Sequence, residues 1–167
     1  MAVLPVLTWG DPRLKINSQD VGDWTPELDQ LVADMFQTAL DEEGVGLAAP
    51  QVGVNINLAV IDCSCGEDPA QQIILINPVI TAEEGIQIGT EGCLSIPGIR
   101  EELERPQKVT IRNRAKDGTW HELTGEDLMA RAFCHEIDHL RGRLFVEYFG
   151  QVKRSVLQRR YQKQMKG

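Results

Sequence analysis

Apolar residues recur at helical spacing in two segments of the chain. The first segment begins at Thr25-Pro26, where a capping residue precedes the proline favoured at the first helical position. Its apolar residues lie three or four positions apart: Leu28, Leu31, Val32, Met35 and Ala39. This spacing predicts a helix that ends by Gly44 and buries one face in the core.

The second segment, 128–141, is also predicted to be helical. The residues that share an arc of about 60° on it are Leu128, Ala132, His135 and His139. Glu136 falls within the apolar arc. The opposite side is predicted to be polar and carries Asp127, Arg131, Cys134, Asp138 and Arg141. We expect 124–127 to supply a capping residue and first-turn acids, and Gly142 to end the helix.

Strand patterns occupy the middle of the chain. Apolar and β-branched residues at 58–61, 73–76 and 108–114 predict three strands. An Asp117-Gly118 turn joins the last of these to 120–123, which predicts a hairpin with one solvated face. Because the chain shows no internal repeat or linker, we interpret residues 1–167 as one α+β domain.

Composition and charge restrict the possible partners. The net charge of −8 combines a basic segment at 150–167, which holds six Lys and Arg and no acid, with −14 on residues 1–149. The acidic body argues against DNA binding, whereas the tail is either a solvated helix or a contact for phosphates. No apolar run has membrane-spanning length, and the N-terminus lacks a secretion signal, so we expect a cytoplasmic protein. Four cysteines fit a reducing compartment, and we interpret Cys63 and Cys65 as having no chemical role.

His135 and His139 are four residues apart, so on a helix both imidazoles face the same way. Both can bind one divalent metal while Glu136 reaches a water on it. The alternative is a helix whose two histidines and glutamate are polar core residues with ordinary partners. A catalytic site needs a third protein ligand and an open fourth position.

The third ligand is expected upstream of the helix. Phe145 stands where one protease class places a third histidine, and no acid follows Glu147. Cys134 points about 100° away from His135 around the helix. Cys93, between Gly92 and a hydrophobic residue, is the best candidate, because a thiolate with two imidazoles suits zinc or ferrous iron.

Segment 44–53 is rich in glycine and alanine, which indicates close approach of its backbone to a ligand or another element. It has neither phosphate-loop nor dinucleotide-binding spacing. Gln51 is the only hydrogen-bonding side chain near its centre, and it is either a turn-stabilising amide or an oxyanion donor.

Three motifs, in this order and spacing, resemble the signature motifs of the peptide deformylase family. They are 44–51 (GVGLAAPQ), 91–95 (EGCLS) and 135–139 (HEIDH). The resemblance implies a small α+β fold, with antiparallel sheets around the helix of the third motif and a C-terminal helix. It also implies hydrolysis of the formyl group from formyl-Met nascent peptides, with release of formate.

The resemblance further implies a role for each matched residue. Cys93, His135 and His139 would hold one divalent metal, usually ferrous iron in the cell, with zinc, nickel or cobalt as substitutes. Glu136 would be the general acid and base, and Gln51 with the backbone N–H of Leu94 would form the oxyanion site. The basic tail would contact ribosomal RNA.

The substrate Met is expected in an apolar pocket lined by Leu128, Ala132 and the Val45-Gly46 segment, because these share the histidine arc or the close-approach segment. By resemblance, the peptide backbone would lie against Val45 and Gly46 with Arg100 nearby, although Arg100 is equally suited to a structural ion pair. Two other functional hypotheses remain at this point, a zinc endopeptidase and a non-enzymatic, metal-stabilised interaction module.

Overall fold

The structure, a computed structural model, describes residues 2–166. Helix α1 (Pro26–Asp41) precedes eight strands, and helices α2 (Leu128–Leu140) and α3 (Gln151–Lys166) follow them. The strands are β1 (Gly46–Ala48), β2 (Leu58–Asp62), β3 (Gln72–Ile76), β4 (Val79–Glu84), β5 (Gln87–Cys93), β6 (Ile96–Arg105), β7 (Lys108–Arg114) and β8 (Trp120–Glu126). This α+β arrangement confirms the predicted fold class.

The strands form three antiparallel sheets, ordered β1-β2-β3, β4-β7-β8 and β5-β6. Helix α2 packs against β1, β2, β6, β7 and β8, so it occupies the space between the sheets. Its apolar residues, among them Phe133, Ile137 and Leu140, share one buried cluster with Ile61 and Ile111 of the sheets. The helix with the two histidines is therefore the central element of the fold.

Helix α1 begins as predicted. Thr25 Oγ1 accepts a hydrogen bond from the backbone N–H of Leu28 at 3.3 Å, and Pro26 occupies the first turn. Val32, Met35 and Ala39 are buried against β1 and β2. The amphipathic pattern therefore gave both the helix and its buried face correctly.

One prediction about α2 was wrong, and a second was correct only in part. Residues 124–126 belong to β8, so the helix begins only after Asp127 and has no acid in its first turn. The side predicted to be polar is buried at its centre, where Arg131 and Cys134 are only 6% and 5% exposed, whereas Asp127 and Arg141 at its ends are exposed. Arg131 and Asp138 contact Glu91 and Arg105 of the β5-β6 hairpin. Gly142 does follow the helix in the left-handed conformation, with φ of +75°.

Helix α3 covers a third buried cluster. Leu157 and Tyr161 pack with Ile96, Ile99 and Phe145, and Tyr161 also contacts Trp9. The remaining α3 residues are exposed. Over residues 2–166, no helix combines the length and the apolar character that crossing a membrane requires.

Candidate functional site

Helix α2 places three polar side chains in the interior, where polar groups require partners. His135, Glu136 and His139 are 9%, 3% and 1% exposed. The two imidazole Nε2 atoms lie 3.2 Å apart, which is the consequence of their i, i+4 spacing on one helix face.

The β5-β6 hairpin brings a thiol to the same point. Cys93 is the last residue of β5 and pairs with Ile96 across the turn formed by Leu94 and Ser95. Its Sγ lies 3.3 Å from Nε2 of His139. One ligand atom from each of Cys93, His135 and His139 lies within 4.8 Å of the others. A thiolate and two imidazole nitrogens converging in this way fit a tetrahedral or similar divalent metal with an open position.

Glu91 orients the first histidine. Its Oε1 lies 2.7 Å from Nδ1 of His135, so the ring donates its Nδ1–H to Glu91 and Nε2 is the nitrogen that faces the candidate metal position. Arg105 binds both oxygens of Glu91, at 2.7 and 2.9 Å, and Arg131 binds Oε2 at 2.7 Å. Asp138 accepts a further hydrogen bond from Arg105 at 2.9 Å. These buried charges therefore compensate one another.

Four residues of the site were not predicted from the sequence: Glu91, Arg105, Arg131 and Asp138. Glu91 lies within the second motif, two residues before Cys93. Its place in that motif was the one sequence feature that pointed to a role in the site. Arg105 comes from the far end of β6. It reaches Glu91 because β5 and β6 pair along their length, with Gln87 opposite Arg105. No sequence pattern indicates that contact.

The pKa values of four buried groups in the site depart from their ordinary values. Burial opposes charge on Glu91, but its hydrogen bonds to Arg105 and His135 prevail and lower its pKa well below 4.5. Burial likewise disfavours protonated His135, yet hydrogen bonds to Cys93 and Glu91 raise its pKa. Burial and the charge of His135 lower the pKa of His139. Burial raises the pKa of Glu136 to about 7, so this carboxyl exchanges protons near neutral pH.

Glu136 is held against the segment that contains Gly46. A Cβ atom at Gly46 would lie 2.7 Å from Oε2 of Glu136 and 2.9 Å from the carbonyl oxygen of Val60. The other carboxyl oxygen, Oε1, is buried and has no hydrogen-bond partner among residues 2–166. The close approach predicted for 44–53 therefore occurs at this glycine, and it leaves one Glu136 oxygen available.

Gln51 is a turn-stabilising amide, one of the two roles that the sequence left open, and its role as an oxyanion donor stays a prediction. Its Oε1 accepts a hydrogen bond from the backbone N–H of Ala48 at 2.9 Å and so fixes the turn. Its Nε2 lies 3.0 Å from Oγ of Ser95 and 3.6 Å from Sγ of Cys93. The amide nitrogen is consequently directed toward the turn that follows Cys93.

The site opens into a cleft of about 430 Å³. The predicted site residues that line it are Val45, Gly46, Gln51, Cys93, Leu94, Arg100, Leu128, Ala132, His135 and Glu136. His139 lies outside this lining, behind the other ligands. Leu128, 47% exposed, is more exposed than Ala132, which is 6% exposed. Arg100 packs over Gly92 and makes no ion pair within residues 2–166. The roles of these residues stay predictions.

The chain is similar to proteins of one family. The family model for polypeptide deformylases matches residues 3–155. A peptide deformylase of Acidobacterium capsulatum is 46% identical over 163 residues, covering 98% of this chain and 96% of the relative. A Legionella pneumophila peptide deformylase structure has a TM-score of 0.93 at 39% identity, covering 99% of this chain and 96% of that one.

A third similar protein carries a bound peptide. This class I type b peptide deformylase from Acinetobacter baumannii, crystallised with Met-Ala-Ser, has a TM-score of 0.82 at 32% identity. The match covers 89% of this chain and 99% of that one. Sequence and structure thus agree over nearly the full length, and the chain belongs to the peptide deformylase family.

Proposed function

We propose that the cleft performs the family's reaction with the residues described above. Peptide deformylases hydrolyse the formyl group from an N-terminal formylmethionine and release formate. The observation that supports this assignment of residues is the convergence of Cys93, His135 and His139 within 4.8 Å. Family membership favours this reaction over the zinc endopeptidase and the non-enzymatic module.

Cys93, His135 and His139 are proposed as the ligands of one divalent metal. A metal there supplies Lewis-acid chemistry, in that it polarises the formyl carbonyl and lowers the pKa of water. Ferrous iron is the proposed ion in the cell, with zinc, nickel and cobalt as substitutes, because thiolate and imidazole suit all of them. Metal analysis of protein purified without oxygen tests this: iron near one equivalent supports it, and zinc alone contradicts it.

Glu136 is proposed to move the proton. Its unpartnered Oε1 can accept a proton from the attacking water, and its pKa near 7 allows the same carboxyl to return it to the leaving amine. Gly46 leaves room for this carboxyl, so the proton carrier is held in one position. A positioned acid and base of matched pKa contributes about 10²- to 10⁴-fold in rate.

Gln51 and Leu94 are proposed to stabilise the oxyanion. As the formyl carbon becomes tetrahedral, its oxygen gains negative charge, which favours fixed N–H donors. Gln51 is anchored through Oε1, so its Nε2 is preorganised, and Leu94 supplies its backbone N–H from the turn after Cys93. The N-terminal segment supports both, because Leu7 and Trp9 donate to the carbonyls of Gln51 and Ser95 at 2.7 and 2.9 Å.

The peptide is proposed to bind as an added strand. Within residues 2–166, β1 pairs only with β2, so its other edge, next to Val45 and Gly46, is free for an extended chain. The Met side chain would then lie between this segment and Leu128 and Ala132, and Arg100 would contact the peptide beyond it. The Acinetobacter deformylase with bound Met-Ala-Ser supports a peptide of this kind as the ligand.

The whole chain is proposed to act as one catalytic domain, with 150–167 as a basic C-terminal helix that contacts ribosomal RNA in the cytoplasm. The protein would then bind newly made chains where they emerge from the ribosome.

Formate release tests the reaction directly. Purified protein loaded with a divalent metal should release formate from formyl-Met-Ala-Ser. It should leave acetyl-Met-Ala-Ser and the internal bonds of unformylated peptides intact. Cleavage of internal bonds without formate release would contradict the assignment.

A further inference from the structure

Arg131 lies in the wall of the cleft, where an apolar pocket for Met was expected. It is 6% exposed, and it lines the cleft together with Leu128 and Ala132 of the same helix. The sequence had placed it on the polar side of α2, opposite the apolar arc. A buried arginine beside an apolar side-chain pocket requires an explanation, because its charge and donors must be satisfied.

The guanidinium is held in a fixed position. Nη1 donates to Oε2 of Glu91 at 2.7 Å and to the carbonyl of Leu103 at 3.1 Å. Nη2 lies 3.4 Å from Oε1 of Gln87, and a Cβ at Gly89 would lie 3.0 Å from it. The missing side chain of Gly89 therefore creates the space that the guanidinium fills.

Arg131 keeps donor capacity after these contacts. A guanidinium has five N–H groups, and the Nε–H of Arg131 has no acceptor among residues 2–166. Two carboxylates, Glu91 and Asp138, balance the charges of Arg131 and of Arg105, which shares Glu91 with it. The wall of the cleft therefore offers hydrogen-bond donors without a net positive charge, which favours a neutral acceptor over a carboxylate.

We propose that Arg131 is a specificity-determining residue that donates a hydrogen bond to the end of the substrate side chain. This inference rests on the proposed function, since it assumes that the formylated residue lies between Leu128, Ala132 and β1. The sulfur of Met is a weak acceptor, and the oxygen of methionine sulfoxide is a strong one. The predicted additional substrate class is formylated peptides that begin with methionine sulfoxide.

Three peptides isolate the effect: formyl-Met-Ala-Ser, formyl-norleucine-Ala-Ser and formyl-methionine-sulfoxide-Ala-Ser. Norleucine has nearly the shape of Met but no acceptor. The measured quantity is kcat/KM for the sulfoxide peptide divided by kcat/KM for the norleucine peptide, with holoenzyme of known metal content. Because both kcat/KM values come from the same protein, a loss of activity that affects both peptides equally does not change this ratio.

Arg131→Met should lower the ratio by about tenfold or more, because the sulfoxide oxygen then enters an apolar pocket without a donor. Arg105 still binds both Glu91 oxygens in this variant, so metal content should not change. Arg112→Met, on an exposed position of β7, is the matched control and should leave the ratio unchanged.

Gly89→Ala provides a second test in case Arg131→Met does not fold. The added Cβ would displace the guanidinium, so the ratio should fall in the same direction. A ratio within twofold of wild type in the folded variants would overturn the inference. Absence of formate from every formylated peptide with wild-type enzyme would instead overturn the proposed function, so the two failures are distinguishable.

Discussion

Glu91 connects a candidate metal ligand to two buried arginines. It accepts hydrogen bonds from His135, Arg105 and Arg131 while only 5% exposed. Replacing it with glutamine removes the carboxylate that Arg131 contacts and one of the two carboxylates that Arg105 contacts. Breaking a buried pair in this way typically costs about 3–5 kcal/mol, and losing the partner of a ligating histidine weakens metal binding by about 10- to 100-fold.

We therefore expect Glu91→Gln to lower the free energy of unfolding in urea by about 3 kcal/mol or more and to weaken metal binding. The exposed Glu122→Gln on β8 is the control and should change neither quantity. Wild-type stability and metal affinity in Glu91→Gln would show that Glu91 does not support the site.

The pH dependence of stability provides a separate test of Glu91. Its folded-state pKa is below the ordinary 4.5, so its contribution is present above about pH 4.5 and is lost as pH falls. The difference in unfolding free energy between wild type and Glu91→Gln should shrink on acidification below pH 4.5. A difference that stays constant down to pH 3 would mean that the carboxylate is not stabilised in the fold.

Gln51→Glu separates the observed turn contact of Gln51 from its proposed role in the oxyanion site. The variant keeps the Oε acceptor for Ala48 but removes the Nε2 donor. Losing one oxyanion donor typically lowers kcat about 10²- to 10³-fold. Formate release with formyl-Met-Ala-Ser measures this loss, and unfolding in urea verifies the fold. A kcat within threefold of wild type would remove Gln51 from the oxyanion site.

Among individual residues, the sequence predicted those whose position follows from a pattern of neighbouring residues. His135 and His139 follow from helical spacing, and the structure brings Cys93 to them. Arg131 was misplaced because an amphipathic pattern separates polar from apolar residues but does not reveal a buried counter-charge. Glu91 supplies that charge from another element, so only the tertiary structure shows the pairing.

Among the elements, β1 is the strand proposed to bind the peptide, and its Gly46 lies directly against Glu136. Gly46→Ala should displace Glu136 or the Val60 carbonyl, since both lie within 3 Å of the new Cβ. We expect a fall in kcat of at least about tenfold, because misplacement by 1 Å can cost about 10²-fold. Gly22→Ala, which has open space around its Cβ position, should keep full activity. Equal kcat values for the two variants would contradict the close-packed geometry.

The sequence predicted elements best where one face is buried. Helix α1, strands β2 and β3 and the β7-β8 hairpin were predicted, whereas β1, β4, β5 and β6 were not. The exposed Ile86 and Ile88 and the run of charges at 101–105 do not alternate as in a half-buried strand. Residues 124–126 resembled a helix cap, yet pairing with β7 extends β8 to Glu126 because the ladder continues to Lys108.

The whole molecule has a marked charge asymmetry. Within the basic helix, Lys153 and Arg160 pair with Glu101 of β6, whereas Arg159, Lys163 and Lys166 pair with no acid within residues 2–166. Leu157 and Tyr161 hold α3 on the body, so this basic surface has a fixed orientation. Substitution is consequently a better test of the proposed RNA contact than truncation, which would expose the third cluster.

We expect Arg159→Ala, Lys163→Ala and Lys166→Ala together to weaken ribosome binding. The slope of log affinity against log salt should fall by about one per phosphate contact removed. Deformylation of free peptides should not change. Lys108→Ala on β7 is the control. An unchanged slope in the triple variant would rule out this surface as the ribosome contact.

The central claim is that Glu136 moves the proton beside a metal held by Cys93, His135 and His139. Glu136→Gln keeps the shape of the side chain but cannot accept a proton. Formate release from formyl-Met-Ala-Ser at pH 7, measured together with metal content, tests the claim most directly. We predict a loss in kcat of about 10²- to 10⁴-fold with metal content unchanged. Undiminished formate release by the metal-loaded variant would contradict the account.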